Sequence, residues 1–280
     1  MIPYQIKYEN HQGEALWLDD GRYFINLADM RNFAWEPSIN NRPSGFGGRV
    51  SRFARGVTER SVRVGVRART EAEFASRIER LFAITEADIL AKTPGKLWLK
   101  REYIRCYLSV SSEINTYSRL GFFAEKELQV LITEPFWCRE YEYRFTSGDA
   151  EASINNKRYD GRNPYRYGTR FQVSRVNNEH FAACPAIITF DTPTDTPSCY
   201  IGGRGYRVHT TVREGEKVII NQMEKTVTHV SAAGDSTSIF SLRDKEMDVF
   251  LPIEPGQQDV QFLDDFSLTL VQQRSEPRWN

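Results

Sequence analysis

Residues 61–83 read SVRVGVRARTEAEFASRIERLFA, a stretch that carries two periodicities one after the other. In its first part, valines alternate with polar or small residues, the period of two expected of a strand with one buried face. Thr70 is then followed three residues later by Glu73, the spacing of a helix capping box, and apolar residues recur at helical intervals. The stretch therefore predicts a half-buried strand and then a helix over about residues 71–83, with a ragged continuation toward residue 90.

Strand patterns resume after the helix. Thr93-Pro94-Gly95 is a turn or stop signal. It is followed by strand candidates over residues 97–99, 103–110 and 122–133, which we expect to form three consecutive antiparallel strands. Pro135 ends this run, because a proline removes a ladder donor and is expected at the end or the edge of a sheet strand.

The apolar signal fades between residues 146 and 164, where Gly, Asn, Asp, Ser and Arg dominate. We therefore predict a first domain over residues 1–147, a linker over 148–164 and a second domain over 165–280. Turn residues separate the short strand candidates of the second domain, which is typical of a sandwich or jelly roll without a helix of useful length. These candidates cover residues 171–176, 186–190, 206–212, 217–220, 226–230, 249–251 and 266–271.

The composition favours a β-rich chain, and its balanced charge predicts no overall attraction to a charged partner. Among the 280 residues there are 17 Phe and 13 Tyr, which suit half-buried sheet surfaces. The 37 Lys and Arg balance the 37 Asp and Glu, so no global field attracts nucleic acid or an anionic membrane. No stretch approaches the roughly 18 apolar residues of a membrane span, and no targeting segment is recognised. We expect a protein that is made in a cytoplasm and has no membrane partner.

No residue pattern predicts catalysis or metal binding. His209 and His229, with Asp191 and Asp195 nearby in sequence, are imaginable metal ligands, but histidines in strands are more often ordinary cross-strand partners. We therefore expect no enzyme activity, no cofactor and no metal. The cysteines are far apart, without the paired spacing of a zinc site, and are predicted to be independent thiols. Cys106 alternates with apolar residues along one side of a strand pattern and is predicted to be buried. The four cysteines are Cys106, Cys138, Cys184 and Cys199.

One segment is unusual in charge. Between Arg42 and Arg69 there are eight arginines and a single acidic residue, Glu59, with Phe46 and Phe53 interleaved. Arginine beside aromatic residues is compatible with nucleic-acid binding, because guanidinium groups neutralise phosphate and stack. The same pattern is typical of protein–protein interfaces, and the neutral chain favours this second interpretation. We predict a glycine-punctuated arm that docks on a neighbouring subunit.

Several motifs, taken in order, resemble the distal tail protein family of long-tailed, non-contractile bacteriophages. A short early strand and the arginine-rich arm precede the strand and capped helix described above. The stretch Glu134-Pro135-Phe136-Trp137, an apolar strand ending in proline and aromatic residues before an acidic residue, is the most similar element. Other similar elements are Ile25-Asn26-Leu27, Gly95-Lys96-Leu97-Trp98-Leu99, Tyr103-Ile104-Arg105-Cys106-Tyr107, residues 215–221, residues 225–227 and Phe250-Leu251-Pro252-Ile253.

The resemblance implies a mainly β fold in two parts. The first is a β-sandwich or barrel-like ring-forming domain with one α-helix and a β-hairpin, and the second is a galectin-like β-sandwich. It further implies a structural, homohexameric ring at the virion tail tip, synthesised in the host bacterial cytoplasm. Its partners would be the tail tube protein, a tail-associated tip or hub protein and a receptor-binding protein, with the genome passing through the lumen.

A ring of this kind needs two complementary surfaces on each subunit. The arginine-rich arm and the acidic first turns of the helix, which include Glu79, supply opposite charges that can set the register between neighbours. The candidate subunit-interface residues are Arg49, Arg52, Arg55, Phe46, Phe53, Glu71 and Glu73.

Two other functions remain open at the sequence level. The second half is also compatible with a carbohydrate- or receptor-binding sandwich of an adhesion device, with Tyr159, Tyr165 and Tyr167 as a ligand platform near Asn163 and Arg166. A hydrolase on a β-sandwich is less favoured, because no coherent acid pair or nucleophile is found.

Overall fold

The computed structural model describes residues 5–42, 46–117, 122–146 and 172–278. Strands account for 53% and helices for 11% of the structure, so the predicted mainly β fold is confirmed. Contacts divide the chain into two compact units, one formed by Met1–Arg139 with Gln273–Asn280 and the other by Glu140–Gln272. The predicted linker over residues 148–164 lies outside the described residues, so the predicted domain bounds stay a prediction.

The first unit contains nine complete strands and one long helix among its described residues. The strands are β1 (Ile6–Glu9), β2 (Ala15–Trp17), β3 (Tyr23–Asn26), β4 (Glu36–Asn41), β5 (Gly48–Ala54), β6 (Thr58–Ala68), β7 (Gly95–Leu99), β8 (Glu102–Tyr117) and β9 (Phe122–Ile132). The helix is α1 (Glu71–Ala91), and a short 3-10 turn covers Ala28–Arg31.

Strand β8 belongs to two antiparallel sheets of the first unit. Its opening residues pair with β7, which continues through β1 to β2. The rest of the strand pairs with β9, which continues through β6 to β3. The predicted antiparallel order of the three strands after the helix is therefore confirmed. The two sheets and α1 share one apolar core that includes Tyr8, Val66, Leu81, Leu97 and Val130.

The strand and helix signals of residues 61–83 are confirmed. Val62, Val64 and Val66 are buried on one side of β6, and the arginines between and after them are exposed. The Thr70 hydroxyl accepts a hydrogen bond from the Glu73 amide at 3.2 Å, which caps the first turn of α1.

The helix is longer and more regular than predicted. It runs without interruption to Ala91 and ends where Lys92 adopts a left-handed conformation. The reason is that Thr85 and Asp88 occupy buried positions of its last turns, next to the buried Ile84. These two polar residues interrupt the apolar period that the sequence pattern requires, although the helix continues through them.

Asp88 holds the end of α1 against strand β1. Its carboxylate is fully buried and accepts a hydrogen bond from the Tyr8 hydroxyl at 2.5 Å. It also accepts one from the His11 amide at 2.8 Å and lies 2.7 Å from the His11 ring Nδ1. Gly95 lies beside this group, so that a Cβ at this position would collide with the Asp88 carboxylate and the Tyr8 hydroxyl. Burial raises the pKa of Tyr8 well above its ordinary value, so its hydroxyl remains a donor.

The second unit is a sandwich of two antiparallel sheets. Both sheets contribute to one core, in which Phe145 stacks on Phe266 and lies near Phe262. Its strands are β10 (Trp137–Phe145), β11 (Gln172–Asn178), β12 (Ala186–Phe190), β13 (Ser198–Ile201), β14 (Arg204–Arg207), β15 (Lys217–Asn221), β16 (Thr226–Val230), β17 (Ser236–Ser238), β18 (Gly256–Phe262) and β19 (Phe266–Arg274). The first residues of β10, up to Arg139, and the last residues of β19, from Gln273, belong to the first unit. The strand orders of the two sheets are β17-β16-β15-β12-β19-β10 and β11-β18-β13-β14.

Some strand predictions for this unit need correction. Residues 249–251 form no strand; Val249 is buried outside the sheets and Phe250 stacks on Phe240. The candidate over residues 206–212 is also wrong at its end, because β14 stops at Arg207. Strand β18 was not predicted, since only its Val260 and Phe262 are apolar and the alternating positions are Gln and Asp. Among the described residues of this unit, the only helical segment is a 3-10 turn, Phe240–Leu242.

Candidate subunit-interface surface

The arginine-rich segment folds as a two-stranded antiparallel ribbon. Strands β4 and β5 pair with each other and with no other described strand. Every residue of β4 is exposed, and so is every residue of β5 except the last, Ala54, which is half-buried. The ribbon therefore has no core of its own and presents both faces to solvent.

The pairing of the ribbon contains one irregularity. Ser38 lies opposite Arg52, whereas the next residue, Ile39, lies opposite Val50, so Ser51 is an extra residue on β5. The Ser51 hydroxyl donates a hydrogen bond to the Ser38 carbonyl at 3.0 Å. A bulge of this kind shifts the alternation of side chains by one position on the bulged strand.

The bulge sorts the ribbon into two chemically different faces. Arg49 and Arg52 are three residues apart and would point to opposite faces of a regular strand. With the extra residue between them they lie on one face, together with their partners Asn40 and Ser38. We call this the basic face. The other, which we call the apolar face, consists of the paired residues Pro37, Ile39, Val50 and Phe53.

The structure distributes the predicted arm residues over three places. Phe46 is fully exposed at the turn of the ribbon, whose residues 43–45 lie outside the described part of the chain. Arg49 and Arg52 lie on the basic face and Phe53 on the apolar face. Arg55 lies beyond the end of β5, at the base of the ribbon, and has a different environment from the other two arginines.

Arg55 is part of an aromatic cluster that fixes the base of the ribbon. Its guanidinium carbon lies 5.0 Å from the ring centre of Phe136, 5.5 Å from Phe33 and 5.7 Å from Trp35. The rings of Trp35 and Phe136 are themselves 6.0 Å apart. Partial burial, and to a lesser extent the charge of Arg60, lower the pKa of Arg55 from its ordinary value. Its contacts are those of a cation between aromatic faces, not of an ion pair.

The three aromatic members of this cluster were missed as site residues. Phe33 and Trp35 precede the ribbon, and Phe136 lies a hundred residues later in the most family-like motif. Their sequence signal is the pair of aromatic residues just before the arm and the Pro-Phe-Trp stretch at residues 135–137. What the sequence does not contain is the pairing of β6 with β9, which brings Phe136 to the base of the ribbon.

The predicted acidic residues lie at the start of α1. Glu71 is exposed, whereas the Glu73 carboxylate accepts a hydrogen bond from the Arg69 amide at 3.1 Å and lies 3.5 Å from the Arg77 guanidinium. Strand β6 separates this helix end from the base of the ribbon and has 11 residues. At about 3.3 Å per residue, the two places are roughly 33 Å apart. The structure therefore does not bring the predicted basic and acidic residues together within one chain.

The remaining reactive groups of the described chain have ordinary structural surroundings. All four cysteines are buried and unpaired by disulfides, and burial raises the pKa of the Cys106, Cys184 and Cys199 thiols. The prediction of four independent thiols, with Cys106 buried, is confirmed. The His229 ring Nε2 lies 3.2 Å from a carboxylate oxygen of Glu216, the residue just before the strand that pairs with the strand of His229. Within the described ranges, no group of three His, Cys, Asp or Glu is arranged to hold a metal ion.

Two other predictions concern the ligand platform and the absence of a membrane span. Tyr159, Tyr165 and Tyr167, the predicted ligand platform, lie outside the described residues. As for membranes, none of the helices in the described ranges combines the length and the apolar character needed to span a bilayer.

Comparison with solved structures finds matches over nearly the whole chain at low sequence identity. The SPP1 Dit protein (gp 19.1), described as a paradigm of hub adsorption apparatus in phages that infect Gram-positive bacteria, is 13% identical with a TM-score of 0.57. The match covers 96% of this chain and 98% of that protein. A chain of the phage P2 baseplate in its activated conformation with Ca is 14% identical with a TM-score of 0.63, covering 99% of this chain and 100% of that one.

The P2 baseplate with Sr gives a similar match, at 14% identity and a TM-score of 0.61, covering 98% of this chain and 99% of that one. No family model and no curated protein matches the sequence. Over nearly its full length, the chain therefore has the fold of these phage hub and baseplate proteins.

Proposed function

We propose that the chain is a structural subunit of a phage tail tip, and that six copies form a ring between the tail tube and the tip proteins. The observation that carries the proposal is the match of fold over 96% to 99% of this chain to hub and baseplate proteins. Such a match includes both compact units, so it supports a role that uses the complete chain and not only one sandwich.

The surface of the first unit supports ring assembly. In a cyclic ring each subunit uses one patch to contact a different patch on the next subunit, so the two patches must lie apart on the same chain. The ribbon and the acidic start of α1 meet this requirement, because they lie at opposite ends of β6. Their charges are opposite, and electrostatic complementarity of this kind sets register and association rate more than affinity.

The proposed partners follow from the position of such a ring. The tail tube protein lies on one side, a tip or hub protein on the other, and a receptor-binding protein attaches at the periphery, while the genome passes through the lumen. The location is the tail tip of the virion. The role is structural, so we expect the purified protein to leave cell-wall and glycan substrates unchanged, and turnover of either would contradict the assignment.

The experiment that tests the ring is a mass measurement in solution. Light scattering behind size-exclusion chromatography on the full chain is expected to give a species of six times 32.4 kDa. Dilution is expected to dissociate it in one step, since the intermediate open assemblies lack one closing contact. A chain that remains at the monomer mass over the whole concentration range would contradict the proposal.

A further inference from the structure

The charge of Arg55 has no acidic partner among the described residues. The side chain is half-buried between aromatic residues, and its Nη1 atom is buried without a hydrogen-bond acceptor in the chain. Burial and then the positive charge of Arg60 lower its pKa, and no carboxylate acts in the opposite direction. A charged donor that is buried without an acceptor is costly, so this guanidinium calls for a partner from outside the chain.

Two half-buried arginines of the second unit show the usual arrangement. The Arg204 guanidinium lies 2.9 Å from the Glu254 carboxylate, and the Arg207 guanidinium lies 3.7 Å from the Asp244 carboxylate. In both places the charge that leaves water is neutralised by an acid of the same chain, as is general for buried charges. Arg55 differs from them because aromatic rings take the place of the acid.

The surroundings of Arg55 are apolar and open to a partner. Phe33 is 42% and Trp35 is 43% exposed, so the cluster has an aromatic rim that faces solvent. Trp35 lies two residues before Pro37, and Arg55 lies two residues after Phe53, a spacing that keeps side chains on one side of an extended chain. The cluster therefore continues the apolar face of the ribbon and places one cation at its end.

These properties define the chemistry of the partner. A basic segment would be repelled by Arg55 and Arg60, and a wholly apolar segment would bury the guanidinium unpaired. The backbone of a nucleic-acid duplex would neutralise the charge but leave the aromatic rim uncovered. A carboxylate with apolar neighbours satisfies both parts, because its hydrogen bonds to a guanidinium are charge-assisted and strengthen when water is excluded.

We propose that the aromatic cluster around Arg55 is a docking pocket for a glutamate or aspartate side chain of a partner protein. Apolar residues beside that acid pack on Phe33, Trp35 and the apolar face of the ribbon. Arginine surrounded by aromatic residues is the composition of energetic hot spots in protein interfaces. The inference goes beyond the proposed hexamer and rests on it only in that the partner is another protein.

Two short peptides test the pocket on the full-length chain. N-acetylated and C-amidated Phe-Glu-Phe carries one carboxylate between apolar side chains, and Phe-Gln-Phe has nearly the same shape without the charge. Ligand-detected NMR measures the dissociation constant of each. We expect the wild-type chain to bind Phe-Glu-Phe at least about tenfold more tightly, the usual contribution of a hydrogen bond to a charged group.

Three variants locate the preference. Arg55→Gln is expected to abolish it, so that both peptides bind equally. The matched control Arg52→Gln removes an exposed arginine three residues away and is expected to leave the preference unchanged. Phe33→Leu disturbs the cluster but retains the guanidinium, so it is expected to weaken both peptides and preserve their ratio. The ratio of the two dissociation constants thus separates recognition of the acid from a purely structural role of Arg55.

The outcomes of this titration are independent of the proposed function. Equal binding of both peptides by the wild-type chain, or a preference that survives Arg55→Gln, overturns the acidic pocket whatever the mass of the chain in solution. A chain that stays monomeric but prefers Phe-Glu-Phe through Arg55 contradicts the hexamer and supports the pocket.

Discussion

Replacing Asp88 by alanine is expected to destabilise the first unit more than any other single carboxylate change outside the core strands. The Asp88 side chain is fully buried and accepts hydrogen bonds from the Tyr8 hydroxyl and the His11 amide, while the His11 ring lies 2.7 Å away. Removing it leaves the Tyr8 hydroxyl with only its long contact to the Cys106 carbonyl, 3.5 Å away, and takes the acceptor from the amide of the exposed His11. An unsatisfied buried donor costs about 1–3 kcal/mol, and the His11 amide and ring add less because this residue reaches solvent.

The expected loss from Asp88→Ala is thus about 2–3 kcal/mol in the free energy of unfolding, a substantial part of the stability of an ordinary domain. The assay is urea unfolding followed by tryptophan fluorescence. Four of the five tryptophans, at positions 17, 35, 98 and 137, lie among the described residues of the first unit, so their emission reports on that unit. The exposed Glu86 serves as the matched control, and Glu86→Ala is expected to change stability by less than about 0.5 kcal/mol.

A double variant tests the cause. In the Asp88→Ala background the Tyr8 hydroxyl keeps only its long contact to the Cys106 carbonyl, 3.5 Å away, so adding Tyr8→Phe is expected to cost much less than Tyr8→Phe does in the wild type. Asp88→Ala with a loss below about 1 kcal/mol, or strictly additive losses in the double variant, would refute the hydrogen-bond account of this site.

Three further changes test separate parts of the fold. Arg55→Ala is expected to remove a cation–aromatic contribution of about 1–2 kcal/mol at the ribbon base. Hydrogen exchange would register this loss as about tenfold faster exchange of the β4 and β5 amides. Arg55→Lys should not restore protection, because an ammonium does not stack. Thr70→Ala is expected to lower the stability of the first unit by about 1 kcal/mol in the same urea assay, and Thr70→Ser should retain the cap; equal losses in both variants would count against the cap. Gly203→Ala is expected to lower the stability of the second unit by about 1 kcal/mol in thermal unfolding. The reason is that Gly202 and Gly203 both adopt positive φ in the two-residue turn between β13 and β14. An unchanged melting temperature would argue against that turn.

The sequence predicted the elements whose signals are local. The alternation around Val64, the capping pair at Thr70 and Glu73, and the strands after Gly95 depend on neighbours within a few residues, and the structure confirms them. The length of α1 was wrong because its last turns bury a threonine and an aspartate. That aspartate is satisfied by groups from residues 8 and 11, far away in sequence, so no local period reveals it.

The candidate interface shows a similar division. The density of arginines predicted the arm that forms the ribbon, but Arg49, Arg52 and Arg55 were predicted as one set of interface residues. Their separation depends on a bulge at Ser51, which exists only in the pairing of β4 with β5, and on the contact of Arg55 with Phe136. Period-two reasoning without the bulge would have placed Arg49 and Arg52 on opposite faces.

The central claim is a closed ring of six copies, and electron microscopy tests it most directly. Class averages of the purified full chain in negative stain are expected to show six-fold symmetric particles with an open lumen. Monomeric particles, or open chains of subunits that do not close, would contradict the account.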